Sequence, residues 1–231
     1  MLSVAIYTLT WNRLGYTRKM FDGLKKAGYP FDHFVVDNGS KDGSLGWLRK
    51  RKLRGLILNR ENRGIIGATR QIRDTVCEYD MVVNVDNDCE MLTGDWLARM
   101  VKVYEELEGK CLLNPYIHGV IRNVETSGDP FVVATEAVEP VVYLGGILLV
   151  MPPAVMMGFD MDPQKHTMHS LDDSHMSAVG KSLGMKLLRL PGVEVNHMDG
   201  SHGQYETYPE YCKERDLNRN RKYKDEGADS N

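Results

Sequence analysis

The feature that most restricts how this chain can fold is an alternation. Four short apolar runs, "SVAIYTL" (3 to 9), "FDHFVVD" (31 to 37), "GLILN" (55 to 59) and "DMVVNVD" (80 to 86), are separated by segments with helical spacing. Strands alternating with helices predict a mostly parallel, doubly wound α/β sheet. The intervening helices are expected at 15 to 27, ended by Gly28, within "DGSLGWLRKRKL", and at 66 to 77. A further helix at 95 to 107 carries Trp96, Leu97, Met100, Val101, Tyr104 and Leu107 on one stripe, which reads as core.

Beyond about residue 110 the alternation weakens, and 114 to 140 reads as irregular or hairpin structure beside the sheet. A helix returns at 170 to 184, with Met176, Val179 and Leu183 inward, then a short strand and the segment "VEVNHMDGSHG". Residues 1 to 204 are therefore expected to form one domain with halves 1 to 110 and 111 to 204, and 205 to 231 a polar extension fading into disorder.

Composition narrows the classes. At 231 residues and 42% hydrophobic the chain can bury a full core, and its formal net charge of -3 lacks the field of a dedicated nucleic-acid binder. Cys77, Cys89, Cys111 and Cys212 make no metal-knuckle or disulfide pattern, so reduced thiols in a cytoplasmic protein are the simplest expectation. The longest apolar run, "VVYLGGILLVMPP", is broken by Gly145, Gly146 and prolines, short of the ~20 residues of a membrane span.

In an open α/β sheet, ligands sit beyond the carboxyl ends of the strands. Three such ends matter here: Thr8 to Arg13 after the first strand, Asp37 to Ser40 after the second and Asp86 to Asp88 after the fourth. "VVNVDNDCEM" delivers Asp86 and Asp88, hard oxygen ligands suited to Mg²⁺ or Mn²⁺, although a polar turn capping the next helix accounts for the triplet nearly as well. "VVDNGSKDGS" places Asp37, Asn38, Gly39 and Ser40 where a base or ribose could be read, or where an Asx turn simply enters a helix. "NRENRGIIGATR" adds Gly64 and Gly67 at a spacing unlike a dinucleotide or P-loop fingerprint; Arg63 and Arg70 could meet a pyrophosphate or lie on the surface. In "LDDSHM", Asp172 and Asp173 open a helix where a carboxylate could act as a base, and Ser170 with Asp173 also makes a capping box. His197 reads equally as a metal ligand or a structural histidine.

In order, these pieces resemble a family 2 glycosyltransferase of the GT-A fold. "AIYTLTWNR" is similar to the family's first strand with its Asn-Arg pair, "FVVDNGSKDGS" to its VDDGSxDGT pattern, "ENRGIIGATR" to its Asn-x-Gly segment and "VNVDNDCEM" to its DxD strand end. "GGILLVMPPAVMMGFDMD" is similar to the acceptor segment and "LDDSHMSAVGKSLGMKL" to the Glu-Asp helix, whose aspartate lies eleven residues before a glycine; counting back from Gly184 gives Asp173. The chain departs from the pattern at Asp172, His175 and Arg70.

The resemblance implies a Rossmann-like sheet with a smaller mixed acceptor side, and donor contacts from Thr8, Asn12, Asp37, Asn38, Gly64, Arg70, Asp86 and Gly146. It implies a divalent metal, Mn²⁺ or Mg²⁺, on Asp88 and His197, and Asp173 as general base. The implied reaction is inverting transfer of a sugar, by a hexosyltransferase, from a nucleoside-diphosphate sugar, UDP-linked in preference to GDP-linked. Its acceptor hydroxyl could belong to a glycan, lipid-linked sugar, protein or modified nucleobase. Two rivals remain: a metal-dependent sugar nucleotidyltransferase, for which "TLTWNRLGY" lacks a glycine-rich loop, and a non-catalytic nucleotide or nucleic-acid binder using "RKRKLR" (49 to 54).

Overall fold

The computed structural model describes residues 1 to 119, 125 to 160 and 172 to 218, the side chains of 172, 173, 201, 202 and 218 excepted. Its elements run β1 (Val4–Thr10), α1 (Leu14–Leu24), β2 (Asp32–Asp37), α2 (Ser44–Leu48), β3 (Gly55–Leu58), α3 (Gly64–Val76) and β4 (Met81–Val85). They continue β5 (Cys89–Met91), α4 (Trp96–Glu106), β6 (Cys111–His118), β7 (Phe131–Val133), β8 (Glu136–Pro140), β9 (Leu148–Met151) and α5 (Pro153–Met157). The last are α6 (Asp172–Ser182), β10 (Lys186–His197), α7 (Gly200–Thr207) and α8 (Pro209–Asn218).

The strands form one sheet in the order β3-β2-β1-β4-β9-β6-β10-β8-β7, with β5 paired to β10. β3, β2, β1 and β4 are mutually parallel, and β9 then runs antiparallel to both β4 and β6. The sheet is thus parallel on the side read from the alternation and mixed on the other.

Both faces of the parallel half are covered, which is why its strands read as unbroken apolar runs. Val4 and Ile6 of β1 and Met81, Val83 and Val85 of β4 face one layer, with Met20, Leu24, Trp96 and Met100 from α1 and α4. Ala5, Tyr7 and Val82 face the other, with Ile66, Ile72, Val155 and Met176 from α3, α5 and α6. The expected stripe on α4 and the inward Met176 are observed; Leu183, just past the end of α6, is half exposed.

The second half is more regular than the sequence pattern suggests. Residues 114 to 118 belong to β6, a central strand, whose polar Asn114 is buried because its amide donates to the carbonyls of Gly145 and Leu148. β10 is one long strand, with a register shift between Leu190 and Glu194 where Pro191 and Gly192 interrupt the pattern. The hairpin of β7 and β8 fits the expectation for the rest of 114 to 140, residues 120 to 124 lying outside those described. No helix among the described residues is long and apolar enough to cross a membrane.

Candidate active site

The carboxyl ends of β1, β2 and β4 converge on a cavity of about 300 Å³. Thr10, Trp11 and Arg13 come from the end of β1, Asn38 from that of β2, and Asn62 and Gly64 from the entry to α3. Asn84, Asp86 and Asp88 come from β4 and the turn after it, and His197, Gln204, Tyr211 and Arg215 from the C-terminal end of the chain.

On the β2 side, Asp37 is almost fully buried. Its Oδ1 accepts the amides of Gly39 and Ser40 at 3.2 and 3.0 Å, while its Oδ2 is buried without a partner among the described residues. Leaving such an acceptor idle costs about 1 to 3 kcal/mol, so the geometry suits a ligand that brings a donor. Gly39 is required here: its φ is +84°, and a Cβ would meet the backbone of Glu61 at 2.9 Å. Asn38 ties the wall together, donating to Asn62 Oδ1 at 2.8 Å and accepting from Asn59 Nδ2 at 3.1 Å and Arg63 N at 2.9 Å.

On the β4 side, Asp86 leaves the sheet with its amide donating to the Ile147 carbonyl at 2.9 Å and its carboxylate accepting from Asn84 Nδ2 at 3.1 Å. The turn that follows leads into β5, which pairs antiparallel with β10 in a register that sets Cys89 opposite His197. That pairing brings His197 to Asp88: Met198 N donates to the Asp88 carbonyl at 2.9 Å, and His197 Nε2 stands 3.3 Å from Asp88 Oδ2.

Asp88 Oδ2 also accepts from Arg13 Nη1 at 2.6 Å and Gln204 Nε2 at 3.0 Å. Burial by itself would raise the Asp88 carboxyl; the Arg13 guanidinium, aided by His197 and Gln204, reverses this and holds it well below the usual carboxylate range. For Arg13 the balance is the same, burial opposing its charge and Asp88 more than restoring it.

The divalent ion that the resemblance implies can be tested against this donor set. Asp88 Oδ2 and His197 Nε2, 3.3 Å apart, match the ~3 Å between neighbouring ligands of an octahedral ion with bonds of ~2.1 Å. The pair fits as one edge of a coordination shell. No group of three or more histidine, cysteine or acidic side chains able to hold an ion occurs among the described residues, so the remaining ligands would be oxygens of a bound molecule or water.

Asn38, Gly64, Asp86, Asp88 and His197 thus line one cavity, Asp37 is buried at the end of β2 directly before Asn38 and outside that lining, and the Gly146 carbonyl accepts from Asn84. Three further expected contacts are not delivered to the cavity. Thr8 lies two residues short of the end of β1, its hydroxyl buried 3.1 Å from His33 Nε2. Asn12 staples the β2 loop instead, its amide donating to Ser40 Oγ and its Oδ1 accepting from Lys41 N, both at 2.7 Å. Arg70 is on the exposed side of α3, 3.4 Å from Asp160. Asp173 is the second residue of α6, but its side chain lies outside the described residues.

Wall residues that carried no signal as site residues include Asn84, hidden inside an apolar run, and Gln204, Tyr211 and Arg215, in a stretch whose composition is merely polar. Residues 205 to 218 are helical and pack against the cavity; 219 to 231 lie outside the described residues.

A parallel sheet joined to a mixed one, with amides and carboxylates gathered where its strands end, is the arrangement of the GT-A fold. Solved structures agree: GalNAc-T7 with UDP, GalNAc and Mn²⁺ (TM-score 0.65, 14% identity, 85% of this chain and 44% of that one), and the mannosyltransferase PcManGT of Pyrobaculum calidifontis with GDP-Man and Mn²⁺ (0.65, 17%, 89% and 59%). TarS 1-349 of S. aureus with UDP-GlcNAc is similar at TM-score 0.62 and 18% identity, over 87% of this chain and 60% of that one. The chain thus spans 44% to 60% of the length of these proteins. No curated protein sequence matches it. The chain belongs to glycosyl transferase family 2, whose model matches residues 5–127, more than half of its length.

Proposed function

We propose that this chain is a metal-dependent, inverting glycosyltransferase that uses a nucleoside-diphosphate sugar, UDP-linked in preference to GDP-linked. The observation that carries the reading is the gathering of Asn38, Gly64, Asp86 and Asp88 on one cavity at the strand ends, with Asp37, whose Oδ2 is buried and unpartnered among the described residues, ending β2 directly before Asn38. An idle carboxylate oxygen suits the ring N–H of a uracil, and Asp86, on the cavity wall, would hold a ribose hydroxyl. The N-terminus of α3 at Gly64 presents a helix end suited to phosphate.

Asp88 and His197 would hold a Mn²⁺ or Mg²⁺ ion, which when bound would neutralise charge on the leaving diphosphate. Asp173, at the start of α6, would take the proton of the acceptor hydroxyl as that oxygen attacks the anomeric carbon from the face opposite the leaving group. With four free cysteines, three of them buried, a reducing compartment such as the cytoplasm fits the chain.

The test is a panel of nucleotide sugars with Mn²⁺, read by release of nucleoside diphosphate in the presence of candidate acceptors. UDP release that falls roughly a hundredfold or more in Asp88→Asn is the expected result. A protein that binds UDP but turns over no donor with any acceptor would instead be the non-catalytic binder. Asp173→Asn is expected to lower kcat by roughly two to four orders of magnitude with donor affinity unchanged; an unaltered kcat would remove Asp173 from the base role.

A further inference from the structure

The reading above gives Asp88 to a divalent ion, yet the carboxylate oxygen that would bind the ion already has a cation on it. Arg13 is 8% exposed, a rare position for an arginine, and its side-chain hydrogen bonds all go to this site. Nη1 donates to Asp88 Oδ2 at 2.6 Å and to Gln204 Oε1 at 3.0 Å, and Nη2 donates to Asn87 Oδ1 at 2.6 Å. The guanidinium lies over the Tyr211 ring at 4.1 Å, and its Nε is buried with no partner among the described residues.

The backbone enforces this aim. Asn12 and Arg13 both have positive φ, 56° and 58°, so the chain turns sharply between β1 and α1. The Arg13 carbonyl is meanwhile fixed by the amides of Tyr16 and Thr17 at 3.0 and 3.1 Å. Two of its clamps, Gln204 and Tyr211, come from the C-terminal helices α7 and α8.

Resting on the donor reading, we propose that Arg13 is a positioning residue that stands in for the divalent ion on Asp88 while the site is empty. Metal entry then depends on the arrival of a diphosphate. A diphosphate is the stronger partner for a guanidinium, because it accepts a bidentate pair of charge-assisted bonds and can also engage the idle Nε. Once Arg13 turns to it, Asp88 Oδ2 faces His197 Nε2 without a competing cation. Gln204 and Tyr211 hold Arg13 in the resting position, so α7 and α8 set how readily the exchange occurs.

The experiment measures Mn²⁺ affinity by the loss of its free-ion electron paramagnetic resonance signal, without nucleotide and then with UDP. Wild type should bind Mn²⁺ weakly alone. Arg13→Gln should bind it roughly tenfold or more tightly without nucleotide, the scale of one charge-assisted hydrogen bond, and lose most of the UDP dependence. Tyr211→Ala should shift the same way by a smaller factor, and Arg13→Lys, which keeps a charge on Asp88, should stay near wild type. Should Arg13→Gln fail to fold, Tyr211→Ala against Arg13→Lys decides. Equal nucleotide-free affinity in wild type and the folded variants overturns the proposal, as does Mn²⁺ binding by none of them with UDP present. UDP protection of wild type against thermal unfolding, measured without metal, tests the donor reading separately: absent protection sinks that reading, whereas protection with equal Mn²⁺ affinities sinks the exchange alone.

Discussion

His33 is a buried imidazole at the start of β2, its Nε2 3.1 Å from Thr8 Oγ1 and its ring 4.9 Å from that of Phe21. Burial pushes its pKa down to about 3, against roughly 6.5 in an unfolded chain. Between those values the unfolded state binds the proton that the folded state refuses, so stability is complete above about pH 6.5 and declines as pH falls, by up to about 1.4 kcal/mol per unit. Asp88 acts in the opposite range. Its carboxyl is held low in the fold, so its contribution is present above the ordinary aspartate pKa of about 4 and is lost only below that. Melting curves between pH 7 and 4 should therefore fall for wild type and flatten for His33→Gln, which keeps a group able to bond Thr8. An unchanged slope would exclude His33 as its source. Residues were legible where their neighbours fixed them. Asp37, Asn38, Asp86 and Asp88 follow apolar strands directly, so their place at strand ends could be counted off; Thr8 also follows from counting, but falls short of the rim. Gln204 and Tyr211 reach the site through the path of two helices, and no local pattern encodes that path.

At the scale of elements, the site depends on where β10 ends. Gly119, just after β6, has a φ of +80°, and a Cβ there would stand 2.7 Å from the His197 carbonyl. Gly119→Ala should cost about 1 to 3 kcal/mol of stability and weaken Mn²⁺ binding more than UDP binding, because it displaces His197 and leaves Asp37 alone. Calorimetry with each ligand separates the two effects, and equal losses would mean that the strain spreads beyond β10. The elements of the first half were readable because two covered faces demand continuous β-formers. β6 was obscured by Asn114 and Pro115, whose polarity and missing N–H are made good by carbonyls from the β9 approach and by a register shift in β10. Those compensations exist only in three dimensions.

For the whole molecule, the two apolar layers share one sheet, and β9 stitches β4 to β6 across the boundary between the expected halves. Unfolding should be a single transition. Met176→Ala, in the layer opposite Trp96, should cost about 2 to 5 kcal/mol and move the urea midpoints of tryptophan fluorescence and far-ultraviolet circular dichroism together; separated midpoints would show that the halves melt independently. The place of β10 has a last consequence, one of timing. It lies between β6 and β8, inside the sheet, although it is the last strand among the described residues. As the polypeptide leaves the ribosome, Asp86 and Asp88 emerge long before His197 and Gln204, so a prematurely terminated product carries only half of the site. The incomplete molecule lacks both the histidine and the helices α7 and α8, and the cavity has its full wall only once α8 has been made.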